Sequence, residues 1–217
     1  SRYGHVKVDI STSADIVAIQ RLLSLQECPD HSANSIRMNV STYIKQIRNK
    51  KWLKNNPPYL LRTLSGDMLE SLSFPSYFQG DQWSFPENIR KTKALFSLGP
   101  ANSFTGFHLH SAAFNYVAHG AKKWIIYPPR ASPDIDFHHD GDTLSHFFKT
   151  KQRQPSKNNE KPLEAIQTEG EIMFIPSSWL HAVVNIGQDP TVAVAVELGW
   201  DTFYEKNFNK IPCRMPC

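Results

Sequence analysis

The chain has 217 residues, of which 40% are hydrophobic and 12% aromatic, and its formal net charge is +4. This length and apolar content suit a single domain with its own core. The mild charge, with Lys and Arg scattered along the chain, argues against a nucleic-acid partner. No apolar run approaches the roughly 18 residues that a membrane span needs, so we expect no membrane partner either. The oligomeric state stays open.

The first ninety residues are expected to form helices, strands and loops that pack against the more regular segment after them. We expect an edge strand at residues 3–10, a helix at 14–25 and a polar loop at 28–38. A second helix is expected at residues 40–49 and a strand at 59–64. The second helix begins with capping residues, places Tyr43, Ile44 and Ile47 on one face, and ends before Pro57-Pro58. Turns and short helices are expected over residues 65–90.

From residue 94 the pattern becomes that of a β protein. Short β-branched and aromatic runs predict strands at residues 94–99, 105–110, 114–119, 122–127, 164–168, 171–175, 181–186 and 191–199. Gly120-Ala121 marks a turn, and Pro128-Pro129 ends a strand because proline cannot donate to the ladder. Residues 201–209 predict a closing helix. Several short strands separated by turns predict a sandwich or a barrel.

Two neighbouring histidines and one distant histidine stand out from this β-rich pattern. His108 and His110 are two positions apart, so both side chains would leave an extended strand on the same face. His181 comes later and closes the run Gly170–His181, which reads Gly-Glu, an apolar strand, Pro, Trp and His. A lone histidine is more often a hydrogen-bonded core residue. The context favours one metal site built from all three, since a barrel can bring a close pair and a remote ligand together.

These segments resemble the Jumonji-C (JmjC) family of iron- and 2-oxoglutarate-dependent oxygenases over roughly residues 90–200. The resemblance rests on Phe107-His108-Leu109-His110, on Tyr127-Pro128-Pro129, and on Pro162-Leu163-Glu164 ahead of Gly170-Glu171. It is strongest to a branch associated with the lumen of the endoplasmic reticulum. Most of the family has Asp or Glu at the position that His110 occupies here, and this departure bears directly on catalysis.

The resemblance implies a mainly β fold, the double-stranded β-helix (jelly-roll or cupin), with N-terminal helices and a short C-terminal helix. It implies one domain over residues 1–217, with support from residues 1–90, a barrel core over residues 91–200 and a tail over residues 201–217. The strand pattern read from the residues agrees with this fold.

The resemblance also implies the cofactors and their ligands. Fe(II) would be held by His108, His110 and His181, and zinc or nickel could substitute because three-histidine sets accept both metals. Lys122, after the Gly-Ala turn, would bind the distal carboxylate of 2-oxoglutarate. Thr105 and Asn115 match family positions that hydrogen-bond this cosubstrate. A solvated turn lysine is the alternative for Lys122, with Lys123 beside it.

Three functions stay open at this point. The first is a 2-oxoglutarate-dependent dioxygenase that hydroxylates a protein side chain, or demethylates it by the same route. The second is a JmjC-like pseudo-enzyme that acts as a metal-binding or protein-interaction module. The third is a cupin with a different three-histidine chemistry. A protein or peptide partner fits the first two, and the neutral His110 divides them.

The cysteines and one sequon bear on the compartment. Cys28, Cys213 and Cys217 are an odd set, so either a bridge from Cys28 to the tail or three free thiols is compatible with them. Asn39-Val40-Ser41 is an N-glycosylation sequon. Both features favour the endoplasmic reticulum or the secretory pathway, although a cytoplasmic location stays open.

A few polar residues outside the three-histidine set have two readings each. The segment 130–160 is predicted to be an irregular loop. Four of its side chains are either solvated or form a second metal site: His138, His139, Asp140 and Asp142. Tyr116 and His119 either line the interior or pack in the core, whereas Trp124, Trp179 and Trp200 are expected to pack within the barrel.

Overall fold

The computed structural model describes residues 6–12, 36–50, 57–64, 93–130 and 161–197, and strands dominate them. The strands are β1 (Lys7–Thr12), β2 (Ile36–Asn39), β3 (Pro58–Thr63), β4 (Lys93–Gly99), β5 (Phe104–His108), β6 (Ala113–His119), β7 (Ala121–Tyr127), β8 (Leu163–Thr168), β9 (Ile172–Ile175), β10 (Leu180–Ile186) and β11 (Thr191–Glu197). A helix, α1 (Val40–Arg48), follows β2. Within these residues, no helix is long and apolar enough to cross a bilayer.

The strands form two antiparallel sheets. The major sheet has the order β2-β1-β3-β4-β11-β6-β9, and the minor sheet has the order β5-β10-β7-β8. From β4 onward the chain passes repeatedly between them, so strands distant in sequence become neighbours. This is the jelly-roll that the sequence predicted, and the mainly β class is confirmed. The predicted helices at residues 14–25 and 201–209 lie outside the described residues, and the division at residues 90 and 200 stays a prediction.

The inner faces of the two sheets meet in a core that is partly apolar and partly polar. Trp124, Ile126 and Val183 of the minor sheet pack with Ile175 of the major sheet. Elsewhere the contact is polar, and Lys122 of β7 donates a hydrogen bond to the hydroxyl of Tyr59 on β3 at 3.4 Å. A buried polar interior of this kind must be hydrogen-bonded to be tolerated.

Helix α1 covers the outer face of the major sheet, as its apolar spacing predicted. Tyr43 and Ile47 are buried there against Val8 and Leu98, and Ile44 packs beside them. The Tyr43 hydroxyl donates to the carbonyl of Leu98 at 2.9 Å, and burial raises its pKa above the usual range. The N-cap Asn39 makes no side-chain capping bond, so packing rather than capping stabilises this helix.

Two predictions for the N-terminal part are wrong. Residues 3–10 were expected to form an edge strand, but β1 lies between β2 and β3. Residues 28–38 were expected to be a polar loop, yet Ile36–Asn39 is strand β2, whose Met38 pairs with Val8. β2 is four residues long and mostly exposed, so only its partner strand reveals it.

Because β11 lies in the middle of the major sheet, a charge placed there should unfold the protein. Val194 is 7% exposed, and Val194→Asp would bury an unpaired carboxylate. We expect a loss of roughly 3 kcal/mol or more in the free energy of unfolding, measured by urea denaturation. Ile166→Asp on the edge strand β8, at a side chain that is 63% exposed, is the matched control and should change little. An unchanged unfolding midpoint for Val194→Asp would contradict the central placement of β11.

Candidate metal centre

Three histidines meet at one end of the barrel interior. His108 ends β5 and lies directly opposite His181 of β10 in the antiparallel ladder. Their ring centroids are 4.2 Å apart, and the His110 ring lies 4.7 Å from His181 and 5.4 Å from His108. The predicted cluster of His108, His110 and His181 is therefore formed. Among the described residues it is the only group of His, Cys, Asp or Glu arranged to hold a metal ion.

His110 reaches the cluster by a different route from the one predicted. The sequence placed His108 and His110 on one face of a strand extending to residue 110, but β5 ends at His108. His110 lies in the loop beyond it, and the loop is tied to the β9–β10 turn because the Ser178 amide donates to the His110 carbonyl at 3.0 Å. This bond holds the loop backbone at His110, whose ring lies beside those of His108 and His181.

Hydrogen bonds fix the same orientation for all three rings. The Nδ1 atoms of His108 and His181 lie 2.7 and 2.8 Å from the carbonyl oxygens of Gly106 and Trp179, and Nδ1 of His110 faces the carbonyl of Ser111. A carbonyl can only accept, so each Nδ1 must carry the proton and donate it. The proton on Nδ1 leaves Nε2 as the deprotonated ring nitrogen, which is the tautomer that binds metals.

The spacing of the ligand atoms suits a divalent ion. They all lie within 4.8 Å of one another, so an ion centred in even the widest such triangle would be about 2.8 Å from each. Small side-chain rotations would shorten that distance to the roughly 2.1 Å usual for a bond between a metal and an imidazole nitrogen. Three ligands from one side leave further coordination positions open, as catalytic sites require.

Burial keeps the imidazoles of His108 and His181 neutral. It lowers the pKa of His108 from 6.5 to about 3, and His110 contributes in the same direction, although the hydrogen bond to Gly106 opposes the shift. Burial and repulsion from His108 and His110 also hold the pKa of His181 well below 6.5. Neutral imidazole is the metal-binding form, so neither ring needs to lose a proton at neutral pH before it binds.

A buried lysine lies on the same inner face, away from the histidines. Lys122 of β7 is 1% exposed, and its ammonium donates to Asn185 Oδ1 at 3.1 Å and to the Tyr59 hydroxyl at 3.4 Å. Both acceptors are neutral, and no carboxylate contacts this ammonium within the part of the chain that the structure describes. An ammonium without a counter-ion in a buried pocket is suited to receive an anion.

The orientation of the Asn185 amide follows from its neighbours. Ser103 Oγ donates to the carbonyl of Pro100 at 2.7 Å, so that oxygen must accept from Asn185 Nδ2 at 2.8 Å. The other end of the amide, Oδ1, is therefore presented to Lys122. Gly99 makes this packing feasible, because a Cβ there would lie 2.3 Å from Ser103 Oγ and 2.6 Å from Tyr59.

Strand register relates the lysine to the histidines. His181 pairs with Ile126 and Asn185 pairs with Lys122, and paired residues lie on the same face of the sheet. Four residues separate the two pairs, which is roughly 13 Å along the strand. A linear dicarboxylate that contacts a metal at one end and the lysine at the other would lie along this inner face.

The other two predicted cosubstrate residues are also buried on the inner face. Thr105 of β5 is 5% exposed and pairs with Val183. Asn115 of β6 is 9% exposed, and its Oδ1 has no hydrogen-bond partner in the described part of the chain. A buried oxygen without a partner is costly unless a ligand or water satisfies it, so Asn115 fits a ligand-facing position.

Other candidate residues lie elsewhere. Tyr116 is half-buried and alternates with Asn115, so it faces away from the interior, and His119 is exposed with Glu169 2.9 Å from its ring. Trp124 packs in the inner core, as predicted, and Trp179 packs against it. The second-metal alternative, His138, His139, Asp140 and Asp142, lies outside the described residues, as do all three cysteines.

Sequence reasoning missed Asn185, Tyr59 and Gln167. A signal for Asn185 was present, because it is four residues after His181 and therefore on the same strand face. Gln167 is likewise a polar residue at a buried position of β8, where it pairs with Lys122. Nothing in the sequence links Tyr59 to the site, because β3 lies 63 residues from Lys122 along the chain.

A two-sheet jelly-roll with an inward-facing three-histidine cluster has the architecture of a cupin with a metal centre. The model of the cupin-like domain family matches residues 1–206, so this chain belongs to that family. Its relatives include one named for the JmjC domain and others named for demethylase, hydroxylase or oxygenase activity, which confirms the JmjC resemblance drawn from the histidine motifs.

Three relatives illustrate the match. The bifunctional arginine demethylase and lysyl-hydroxylase psr-1 of Caenorhabditis elegans is 31% identical over 185 residues, covering 76% of this chain and 45% of that protein. Human JmjC domain-containing protein 8 is 26% identical over 193 residues, covering 82% and 65%. The chicken 2-oxoglutarate and iron-dependent oxygenase JMJD4 is 33% identical over 96 residues, covering 41% and 23%. The chain thus spans at most about two thirds of these relatives.

The lowered histidine pKa values predict a pH dependence of the metal-free protein. In the unfolded chain His108 titrates near 6.5, whereas in the folded chain its pKa is about 3. Between these values the unfolded state binds more protons, so the free energy of unfolding should fall as the pH falls, by up to roughly 1.4 kcal/mol per pH unit for each such histidine.

Urea denaturation in chelator at pH 7, 6 and 5 measures this slope. His108→Asn should show a shallower fall than the parent, and His119→Asn, at an exposed position, should follow the parent. Parallel curves for the parent and His108→Asn would contradict a buried neutral His108.

Proposed function

We propose that this domain is an Fe(II)- and 2-oxoglutarate-dependent oxygenase that acts on a protein or peptide side chain. The observation that carries the proposal is the pairing of two features on one inner face. One is a group of three imidazoles arranged to hold a metal ion, and the other is a buried lysine that contacts only neutral acceptors among the described residues. A metal ion and a keto-acid dicarboxylate that bind together need such a pair of sites, one for the metal and one for the distal carboxylate. The family match adds that some relatives carry demethylase, lysyl-hydroxylase and oxygenase names.

Each group in the site would have a distinct role. His108, His110 and His181 would hold the iron through Nε2, and the bound iron with 2-oxoglutarate supplies the oxidising chemistry. Lys122 would bind the distal carboxylate by a charge-assisted hydrogen bond and fix the cosubstrate's direction. Thr105 and Asn115 would hydrogen-bond the cosubstrate from the two sheets. The apolar packing around Trp124 would keep water from this part of the interior.

A protein side chain is the substrate class that the relatives favour. The relative psr-1 is named for arginine demethylation and lysyl hydroxylation. An oxygenase can start either reaction by hydroxylating a carbon of a protein side chain. Hydroxylation of an N-methyl carbon gives a hemiaminal whose C–N bond then breaks, so that the carbon leaves as formaldehyde and the nitrogen takes the proton. A hydroxyl on a carbon that is not attached to nitrogen is stable. The same site therefore serves either outcome, and substrate geometry decides between them.

One observation favours a second candidate, a metal-binding module without turnover. The third residue of the cluster, His110, stands where most of the family has a carboxylate, so a metal held here by three imidazoles would form a centre with one more unit of net positive charge. Three neutral imidazoles are also the ligand set that suits Zn(II). In that case the domain would bind metal and a protein partner, and the buried lysine pocket would be a remnant.

Substitution of His110 separates these candidates. For an oxygenase, His110→Ala should abolish succinate formation from 2-oxoglutarate, because the iron loses one of three protein ligands. His110→Asp should keep or raise it by restoring the carboxylate ligand that most of the family has. Succinate release with added Fe(II) is the measurement, and His119→Ala, at an exposed position, is the control. A parent protein that holds metal by elemental analysis but forms no succinate would support the module instead.

The lysine pocket has its own test in 2-oxoglutarate binding, measured by calorimetry with Ni(II)-loaded protein. Lys122→Ala should weaken binding by roughly ten- to a hundredfold, since charge-assisted hydrogen bonds contribute about 1.5–3 kcal/mol. Asn185→Asp should also weaken it, because a carboxylate would replace the amide oxygen 3.1 Å from the ammonium and neutralise it. The Ser103 hydroxyl can rotate to donate to that new carboxylate, so the fold should persist.

Lys123→Ala is the matched control for this test. Lys123 is the adjacent residue on the opposite face of β7, where it pairs with Glu164 at 2.9 Å and is partly exposed. Its removal should leave 2-oxoglutarate affinity unchanged. Equal losses from Lys122→Ala and Lys123→Ala would remove Lys122 from the cosubstrate role.

A further inference from the structure

One buried amide, on Gln167 of β8, connects both halves of the site. Gln167 is 1% exposed. Its Nε2 donates to the carbonyl of Asn115 at 2.7 Å and to that of Glu171 at 2.9 Å, and its Oε1 accepts from Trp124 Nε1 at 2.9 Å. Carbonyls only accept and an indole only donates, so the orientation of this amide is fixed. Both its N–H groups and its oxygen have partners.

The partners of Gln167 are the immediate supports of the functional residues. The Trp124 ring lies 5.9 Å from the ring of the metal ligand His181, tilted by 37°. Asn115 belongs to the opposite sheet, and its side-chain oxygen is buried without a partner among the described residues. Gln167 also lies beside Lys122 as its cross-strand neighbour. This amide thus joins the β8 backbone to a neighbour of the metal centre and to the strand that carries Asn115.

We propose that Gln167 is a positioning residue that sets the geometry of the metal centre through Trp124 and that of the cosubstrate pocket through Asn115. The inference rests on the proposed function for its second half, whereas its first half concerns the three-histidine cluster alone. Apolar contacts between sheets constrain spacing loosely, but hydrogen bonds to two backbone carbonyls and an indole fix both distance and direction. Without the amide, the Trp124 indole N–H and the Asn115 carbonyl each lose a buried hydrogen bond, whereas the Glu171 carbonyl keeps the Val117 amide at 3.2 Å.

Two substitutions separate the effect of Gln167 on the metal centre from its effect on the cosubstrate pocket, and a third removes both. Gln167→Glu keeps an oxygen for the Trp124 indole, but a carboxylate has no proton to donate to the Asn115 and Glu171 carbonyls and repels both. Trp124→Phe removes the indole N–H that Gln167 Oε1 accepts and leaves the two carbonyl contacts in place. Gln167→Met removes every polar contact at similar volume.

Cobalt-loaded protein gives the two readouts, the visible absorption spectrum of Co(II) and the affinity for 2-oxoglutarate by calorimetry. We expect Trp124→Phe to change the Co(II) spectrum while leaving 2-oxoglutarate affinity within about twofold, and Gln167→Glu to weaken that affinity about tenfold with a smaller spectral change. Gln167→Met should do both. Glu169→Gln is the control, because the exposed His119–Glu169 contact joins β6 to the same β8–β9 turn without reaching the interior.

The outcomes separate positioning from a merely structural role. If Gln167→Met lowers the unfolding temperature but binds Co(II) with the parent spectrum and 2-oxoglutarate with the parent affinity, the proposal is wrong. If the parent itself does not bind 2-oxoglutarate, the proposed function fails, and an altered Co(II) spectrum in Trp124→Phe and Gln167→Met would still support the positioning of His181. Should Gln167→Glu not fold, Trp124→Phe tests the metal half and Gln167→Met the cosubstrate half.

Discussion

The antiparallel register between β5 and β10 is the constraint on which the whole site depends. It sets His181 opposite His108, and because side chains alternate along a strand, a slip of one residue would turn His181 outward. A bulge in this pair adds one residue to β5 between Thr105 and His108. These residues are three apart and would face opposite sides in a regular strand, so the bulge allows both to face inward.

The same register distributes charge along the interior. One end of the inner face holds imidazoles that burial keeps neutral, and four residues further along β10 the Asn185 amide meets a buried ammonium. A divalent metal at the first position and Lys122 at the second would both attract anionic groups. The interior is thus suited to a small dianion held at both ends, and the closed network around Ser103 and Asn185 holds the lysine in place without neutralising it.

His110 is the residue that most affects which metal and which chemistry this site would support. Its ring is placed by a loop tied to the β9–β10 turn, and loop placement is easier to adjust during evolution than strand register. A carboxylate at this point would lower the charge at the metal, whereas histidine leaves it higher and moves the site toward the ligand set of zinc. The fold around the cluster, including the fixed Nδ1 bonds of His108 and His181, is compatible with either ligand.

The sequence by itself determined the β-rich pattern, the helix beginning at Val40, the candidate cluster of three histidines and the lysine after the Gly-Ala turn. Each is encoded locally, by alternation, helical spacing or a short motif. The tertiary structure alone decided the strand identity of Ile36–Asn39, the loop route of His110, and the roles of Tyr59, Asn185 and Gln167. These depend on partners up to 86 residues away, and a side chain's face can be read from the sequence whereas the strand that it will meet cannot.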